Sequence, residues 1–153
     1  MEGKNALVLL IGVSGCGKST WGKKFAQENK MMYLSSDETR AKLGKSEDDQ
    51  TVTPQVFNFL HKEVDRLLRE GKSVMVDATN INRRDRKDFI NSANKYDAYK
   101  VAVAFELDRE TLIKRQETRA SQGGRRVPDW VIDKMLGKYE PPTDQEFDRI
   151  IWK

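Results

Sequence analysis

The residues Gly12-Val13-Ser14-Gly15-Cys16-Gly17-Lys18-Ser19 fit the pattern GxxxxGK[ST] at every fixed position, and residue types so spaced can hold a nucleoside triphosphate. Gly12, Gly15 and Gly17 let the backbone take positive φ and come close to a ligand, so successive amide N–H groups can turn inward around an anion. A helix starting near Lys18 adds its own unsatisfied N–H groups and the positive end of its dipole. Lys18 brings a full charge for the β- and γ-phosphates, and the Ser19 hydroxyl can ligate Mg2+. The nucleotide-binding set read from this run is Gly12, Ser14, Gly15, Cys16, Gly17, Lys18, Ser19 and Thr20. Its implied ligands are ATP, or another nucleoside triphosphate, and Mg2+.

Further groups able to act lie downstream. Asp37 and Arg40 stand three apart at the start of a helical turn and can face the same way. A carboxylate beside a γ-phosphate can accept the proton of an attacking hydroxyl, while an arginine fork can hold an anionic group of the acceptor. The plain alternative is that Asp37 caps a short helix and Arg40 is solvated. Asp77 closes a later apolar run and is followed by Ala78-Thr79-Asn80. It can ligate Mg2+ directly or through water, or form a buried pair that orients Arg40, while Thr79 and Asn80 also suit a simple turn. Arg115, Arg119, Arg125 and Arg126 flank Gly123-Gly124. Cations on such a hinge can close over a triphosphate, which marks a lid over about 115–140. Arg83, Arg84, Arg86 and Lys87 form a second basic cluster, able to follow a phosphate backbone but, as an isolated charge run, more in keeping with solvated surface. Trp130 and Tyr139 read as lid packing.

The pattern of the chain supplies elements that position these groups. Leu7 to Ile11 form a strand buried on both faces, and an amphipathic helix runs from Thr20 to Asn29. Met31 to Ser35 make a second strand and a helix continues through Leu43. Thr53 is placed to cap, with Pro54 in the first turn, a long helix whose Val56, Leu60, Val64, Leu67 and Leu68 share a face before Gly71. A third strand, Ser73 to Val76, precedes a helix from Arg83 to Tyr96. A fourth, Tyr99 to Leu107, precedes a helix capped by Asp108, and Pro128 opens the last helix. Phe147 to Trp152 supply an edge strand. Strands alternating with helices imply an α/β doubly wound parallel sheet of about five strands with helices on both faces. Ligands in such sheets gather beyond the carboxyl ends of the strands, which is where Gly12, Asp37 and Asp77 all fall.

The 153 residues suit a single domain over 1–153. A net charge of +4 and a pI near 9.1 make an anionic partner reasonable. Cys16 is the only cysteine, so no internal disulfide forms, and with His61 the only histidine no nitrogen- or sulfur-ligated zinc site can be built. Met1 to Asn5 lack the basic start of a signal peptide and no apolar run is long enough to cross a bilayer, so a cytoplasmic location and no membrane partner are expected. No stable protein partner is called for, and oligomerisation is left open.

The runs GVSGCGKST, SSDETR and VMVDATN, with the stretch from Arg119 through Gly124-Arg125-Arg126-Val127-Pro128 to Tyr139, resemble the kinase domain of phage-type polynucleotide 5′-kinases. The likeness extends from about Ala6 to Phe147, and it implies a P-loop kinase-like fold with a helical lid. It also implies transfer of the ATP γ-phosphate to the 5′-hydroxyl of DNA or RNA ends. By that resemblance Lys18, Asp37, Arg40 and Arg126 are catalytic, with Asp37 the general base. Arg40 would bind the phosphate on the 3′ side of the acceptor nucleotide, with Asp77, Thr79 and Asn80 around it. Arg119 and Arg125 would join the nucleotide site from the lid. No Asp-x-Asp phosphatase motif occurs in the sequence, so the resemblance implies a kinase alone. Two rivals share the motifs: a P-loop kinase of a small metabolite such as a nucleoside, sugar or antibiotic, and a nucleotide-dependent binding module.

Overall fold

Alternate residues of the first strand feed two separate cores. In β1 (Ala6–Ile11), Leu7, Leu9 and Ile11 enter one and Val8 and Leu10 the other. All five are buried, which is why the run is continuously apolar rather than alternating. In this computed structural model residues 5–13, 17–46, 49–105, 108–123 and 127–153 are described. β1 pairs in parallel with β3 (Val74–Asp77) on one side and β4 (Tyr99–Ala104) on the other. β2 (Met32–Ser35) adds to β3 and β5 (Arg149–Trp152) to β4, giving the order β2-β3-β1-β4-β5. This is the expected doubly wound parallel sheet.

One face is covered by α3 (Thr53–Arg69), through Val56, Leu60, Val64 and Leu67, and by α4 (Arg83–Lys95), through Phe89 and Ala93. The opposite face is covered by α1 (Lys18–Glu28), α5 (Arg109–Ser121) and α6 (Asp129–Gly137), which contribute Ala26, Leu112 and Ile132. Each of the larger side chains among these (Val, Leu, Ile and Phe) taken out of water contributes about 1.5–3 kcal/mol. The connection leaving β1 runs to β2 and that leaving β3 runs to β4, so their helices α1 and α4 lie on opposite faces. A crevice opens there, beyond the carboxyl ends of β1 and β3.

Several helix ends carry out what the sequence asks. Asp108 caps α5, its carboxylate accepting from the Thr111 N–H at 3.0 Å. Gly71, at φ 82°, ends α3, and the N–H groups of Gly71 and Lys72 close back on the carbonyls of Leu68 and Leu67. The start of α3 differs from expectation. Thr53 is already helical and caps nothing; its Oγ1 donates to Gln50 Oε1 at 3.3 Å. A short 3-10 turn, Gln50–Val52, precedes it and is capped by Asp49. Because this turn leads directly into α3, the N-terminal signal falls four residues earlier, on Asp49.

The basic run after β3 also divides in a way its composition hides. Arg83, Arg84 and Lys87 are exposed, but Arg86 is fully buried. Its Nε donates to Glu146 Oε2 at 2.9 Å and its NH2 to Glu146 Oε1 at 3.0 Å. NH1 donates to the carbonyls of Asn80 and Glu140, both at 2.9 Å, and NH2 also reaches the Pro141 carbonyl at 3.4 Å. Arg86 is therefore an internal tie between the loop after β3 and the chain following α6, not part of a phosphate track or a solvated surface.

Candidate functional site

Asp77 is the last residue of β3, level with Leu10 of β1 and Ser35 of β2. This register sets it beside the start of α1. Gly17 caps that helix with φ 89°, a left-handed conformation that an L side chain resists. Ser19 Oγ donates to Asp77 Oδ2 at 2.7 Å, and Lys18 Nζ lies 3.8 Å from Oδ1. The hydroxyl of Tyr33, from β2, donates to the same Oδ2. Tyr33 was not singled out in the sequence; its place two residues before Ser35 puts it on the β2 face that α1 covers. Burial, reinforced by the Asp77 carboxylate, pushes its phenol well above the ordinary tyrosine range, so it stays a donor.

The sequence left Asp77 between a metal-side role and a pair with Arg40. Its partners among the described residues are Ser19, Lys18 and Tyr33. Arg40 instead pairs with Asp37, NH1 to Oδ1 at 3.2 Å. Both lie in α2 (Ser36–Leu43), whose cap is Ser35: the Ser35 Oγ accepts from the Glu38 N–H at 3.2 Å. Asp37 is thus not consumed as a cap. Arg40 is buried to 7% exposure, and its Nε has no hydrogen-bond partner among the described residues. A buried guanidinium with a free donor is costly unless an anion completes it.

These two residues open onto a cleft of about 560 Å3. Thr79, Phe57, His61, Arg84, Asp85 and Asp88 also line it. His61 stands with its ring edge against Phe89, at 4.5 Å between centroids, and its Nδ1 lies 3.8 Å from Asp88. Burial holds the imidazole below the usual histidine range, with Asp88 working the other way. Thr79 and Asn80 serve the scaffold as well. The Gly12 N–H donates to the Thr79 carbonyl at 3.0 Å, and the buried Asn80 side chain donates to the Leu10 carbonyl at 2.9 Å from a backbone with φ 47°. Together they lock the loop after β3 to the beginning of the phosphate loop.

The remaining expected residues are placed apart or not at all. Ser14, Gly15, Cys16, Arg125 and Arg126 lie outside the described residues. Thr20 is exposed on α1. Arg119 sits near the end of α5 in a shallow surface groove with Arg115 and is not among the side chains that line the Asp37–Arg40 cleft. Trp130, expected as lid packing, is 68% exposed on α6, while Tyr139 follows that helix and is half-buried.

For Mg2+ the donor chemistry fits. Ser19 and Asp77 offer hard oxygens side by side, and Mg2+ commonly takes one or two protein oxygens and draws the rest from phosphates and water.

A family model described as AAA domain matches residues 7–142. Transcription factor bHLH140 of Arabidopsis thaliana is 30% identical over 158 aligned residues, which cover 99% of this chain and 16% of that protein. The L-seryl-tRNA(Sec) kinase of Methanococcus maripaludis is 30% identical over 89% of this chain and 53% of that protein. The chain thus spans between about a sixth and about half of the curated relatives it matches. Among solved structures, a chain of the Pnkp1/Rnl/Hen1 RNA repair complex is similar at TM-score 0.76 and 27% identity, over 90% of this chain and 45% of that one.

Proposed function

The chain belongs to the AAA domain family, has a P-loop kinase-like fold, and from that premise we propose that it is a phosphotransferase carrying the ATP γ-phosphate to the 5′-hydroxyl of DNA or RNA ends. The observation that carries this reading is the Asp37–Arg40 pair, three residues apart on α2 and turned into a cleft that is also lined by Thr79, whose carbonyl accepts from the Gly12 N–H. Among the similar proteins, the chain of an RNA repair complex supports a nucleic-acid acceptor, and the L-seryl-tRNA(Sec) kinase supports a kinase whose acceptor is carried on RNA.

On this reading Lys18 and the N–H groups at the start of α1 hold the triphosphate. Bound Mg2+ would neutralise developing charge on the phosphates, with Ser19 and Asp77 as its residues on this chain. Arg40 takes the phosphate on the 3′ side of the acceptor nucleotide through the donors that Asp37 leaves free. Asp37 aligns the acceptor hydroxyl and accepts its proton late, because phosphoryl transition states are loose. Thr79 and Asn80 hold the wall of the site. Arg119, Arg125 and Arg126 are the lid candidates for the donor phosphates, with Arg126 assigned the catalytic role. Most of the rate then comes from positioning and charge stabilisation.

One observation favours a second reading, a kinase of a small hydroxyl metabolite. Asp85 and Asp88 line the same cleft as Arg40 and Arg84, so the cleft suits a single anionic group better than a long phosphate backbone. Arg40→Met separates the two. Loss of a charge-assisted hydrogen bond costs roughly 1.5–3 kcal/mol, so KM for a nucleoside 3′-monophosphate is expected to rise by about 10- to 100-fold while the bare nucleoside is unaffected. An equal effect on both acceptors would remove the phosphate from Arg40.

A further inference from the structure

Tyr33 reaches the phosphate-loop side of the sheet by a route that the packing of α1 provides. Gly22, one turn into that helix, has no side chain, and a Cβ there would stand 2.6 Å from Leu10 Cδ1, 3.2 Å from Met75 Sδ and 3.6 Å from Tyr33 Cε1. The bare glycine lets α1 lie close on the sheet with the Tyr33 ring beneath it. Lys23 covers the ring from outside, its Nζ 5.8 Å from the ring centroid and 3.0 Å from Glu38. The hydroxyl so delivered donates to Asp77 Oδ2, the same oxygen that accepts from Ser19 Oγ.

Two donors on one carboxylate oxygen fix its orientation. With Oδ2 held, the Ser19 proton is committed to Asp77 and the Ser19 lone pairs are left facing outward, the state in which a hydroxyl can ligate a cation. Oδ1 stays turned toward Lys18. We propose that Tyr33 is a positioning residue of the metal side of the nucleotide site, holding Asp77 so that Ser19 is presented as a ligand to a divalent cation. Without the phenol, Asp77 is free to turn about its side-chain bonds and Ser19 to choose another acceptor. Groups that orient metal ligands in this way commonly carry a factor of about 10–100 in metal affinity.

The inference rests on the reading that the chain binds a nucleoside triphosphate with Mg2+. It is tested by equilibrium binding of a fluorescent, non-hydrolysable ATP analogue to the full chain, with Mg2+ and with EDTA, for the wild type and Tyr33→Phe. Tyr33→Phe keeps the ring and its packing, and an unchanged melting temperature confirms that the fold is intact. Mn2+ binding followed by electron paramagnetic resonance, in the presence of the analogue, reads the metal directly. The expected result is about tenfold weaker analogue binding with Mg2+, a matching loss of Mn2+ affinity, and unchanged binding in EDTA. Equal loss in Mg2+ and EDTA would make Tyr33 a packing residue and overturn the inference, as would no loss in either. A wild type whose binding is indifferent to Mg2+ would instead overturn the reading on which the inference stands.

Discussion

Asp37→Asn is expected to lower phosphoryl transfer by about 10²–10⁴-fold, the range a positioned general base supplies, while ATP affinity stays nearly unchanged. The substitution keeps the shape of the side chain and still lets its amide oxygen accept from Arg40 NH1. What it removes is the negative charge and the capacity to take a proton. The helix itself is indifferent, because Ser35 and not Asp37 supplies the cap of α2. Steady-state turnover beside equilibrium ATP binding checks this. Turnover comparable to wild type would take Asp37 out of the mechanism, and a parallel loss of ATP affinity would place it in the donor site instead.

Arg86→Met is expected to produce a large loss of stability. Arg86 is fully buried and its guanidinium meets both oxygens of Glu146 and the carbonyls of Asn80, Glu140 and Pro141. Removing the guanidinium leaves the partly buried Glu146 carboxylate with only its Thr143 donors and strips a donor from three carbonyls, at a cost of about 3 kcal/mol, the lower end of the range for a broken buried pair. In a chain of this size that corresponds to a fall in Tm of roughly 10 °C. Burial alone would push the Glu146 carboxyl up, but the hydrogen bonds and charge of Arg86, together with the hydrogen bonds from Thr143, outweigh it and hold it below the usual range. The sign follows: the stabilisation is complete above the ordinary carboxylate range and is lost as pH falls through the depressed folded value. Thermal melts at neutral and acid pH are the measurement. A wild-type-like Tm for Arg86→Met would show that the tie carries no net energy, and a double variant with Glu146→Met isolates the pair.

Arg86 is a residue whose burial the local charge pattern hides. In the run Arg83 to Lys87 it stands among like charges, and composition alone makes it surface. Yet Arg86, Phe89, Ile90 and Ala93 fall at the spacing of a single helical face, and that face is the buried one. The signal was present in periodicity and absent from charge. The strands were legible for the opposite reason: β1 and β3 are short, continuous and apolar because both faces are covered, and α3 carries an unbroken stripe from Val56 to Leu68. The convergence of Gly12, Asp37 and Asp77 was legible too, since each closes or follows a parallel strand and the sheet brings those ends together. Pairing was not. Which acid faces Arg40 and which faces Ser19 depends on register between β2, β3 and β1, and the hydroxyl of Tyr33 enters through the absence of a side chain at Gly22. Neither is a local property of any stretch of sequence. The exposure of Trp130 was missed because an aromatic on an amphipathic helix is read as buried until its face is known.

Assignment of the chain as a 5′-hydroxyl kinase is read out by following labelled γ-phosphate from ATP, with Mg2+, onto a short 5′-hydroxyl oligonucleotide, a nucleoside 3′-monophosphate and a bare nucleoside, beside a reaction without acceptor. The expected result is label on the oligonucleotide and on the 3′-monophosphate and little on the bare nucleoside. Label on the bare nucleoside equal to that on its 3′-monophosphate, or on no nucleic-acid acceptor at all, would contradict it.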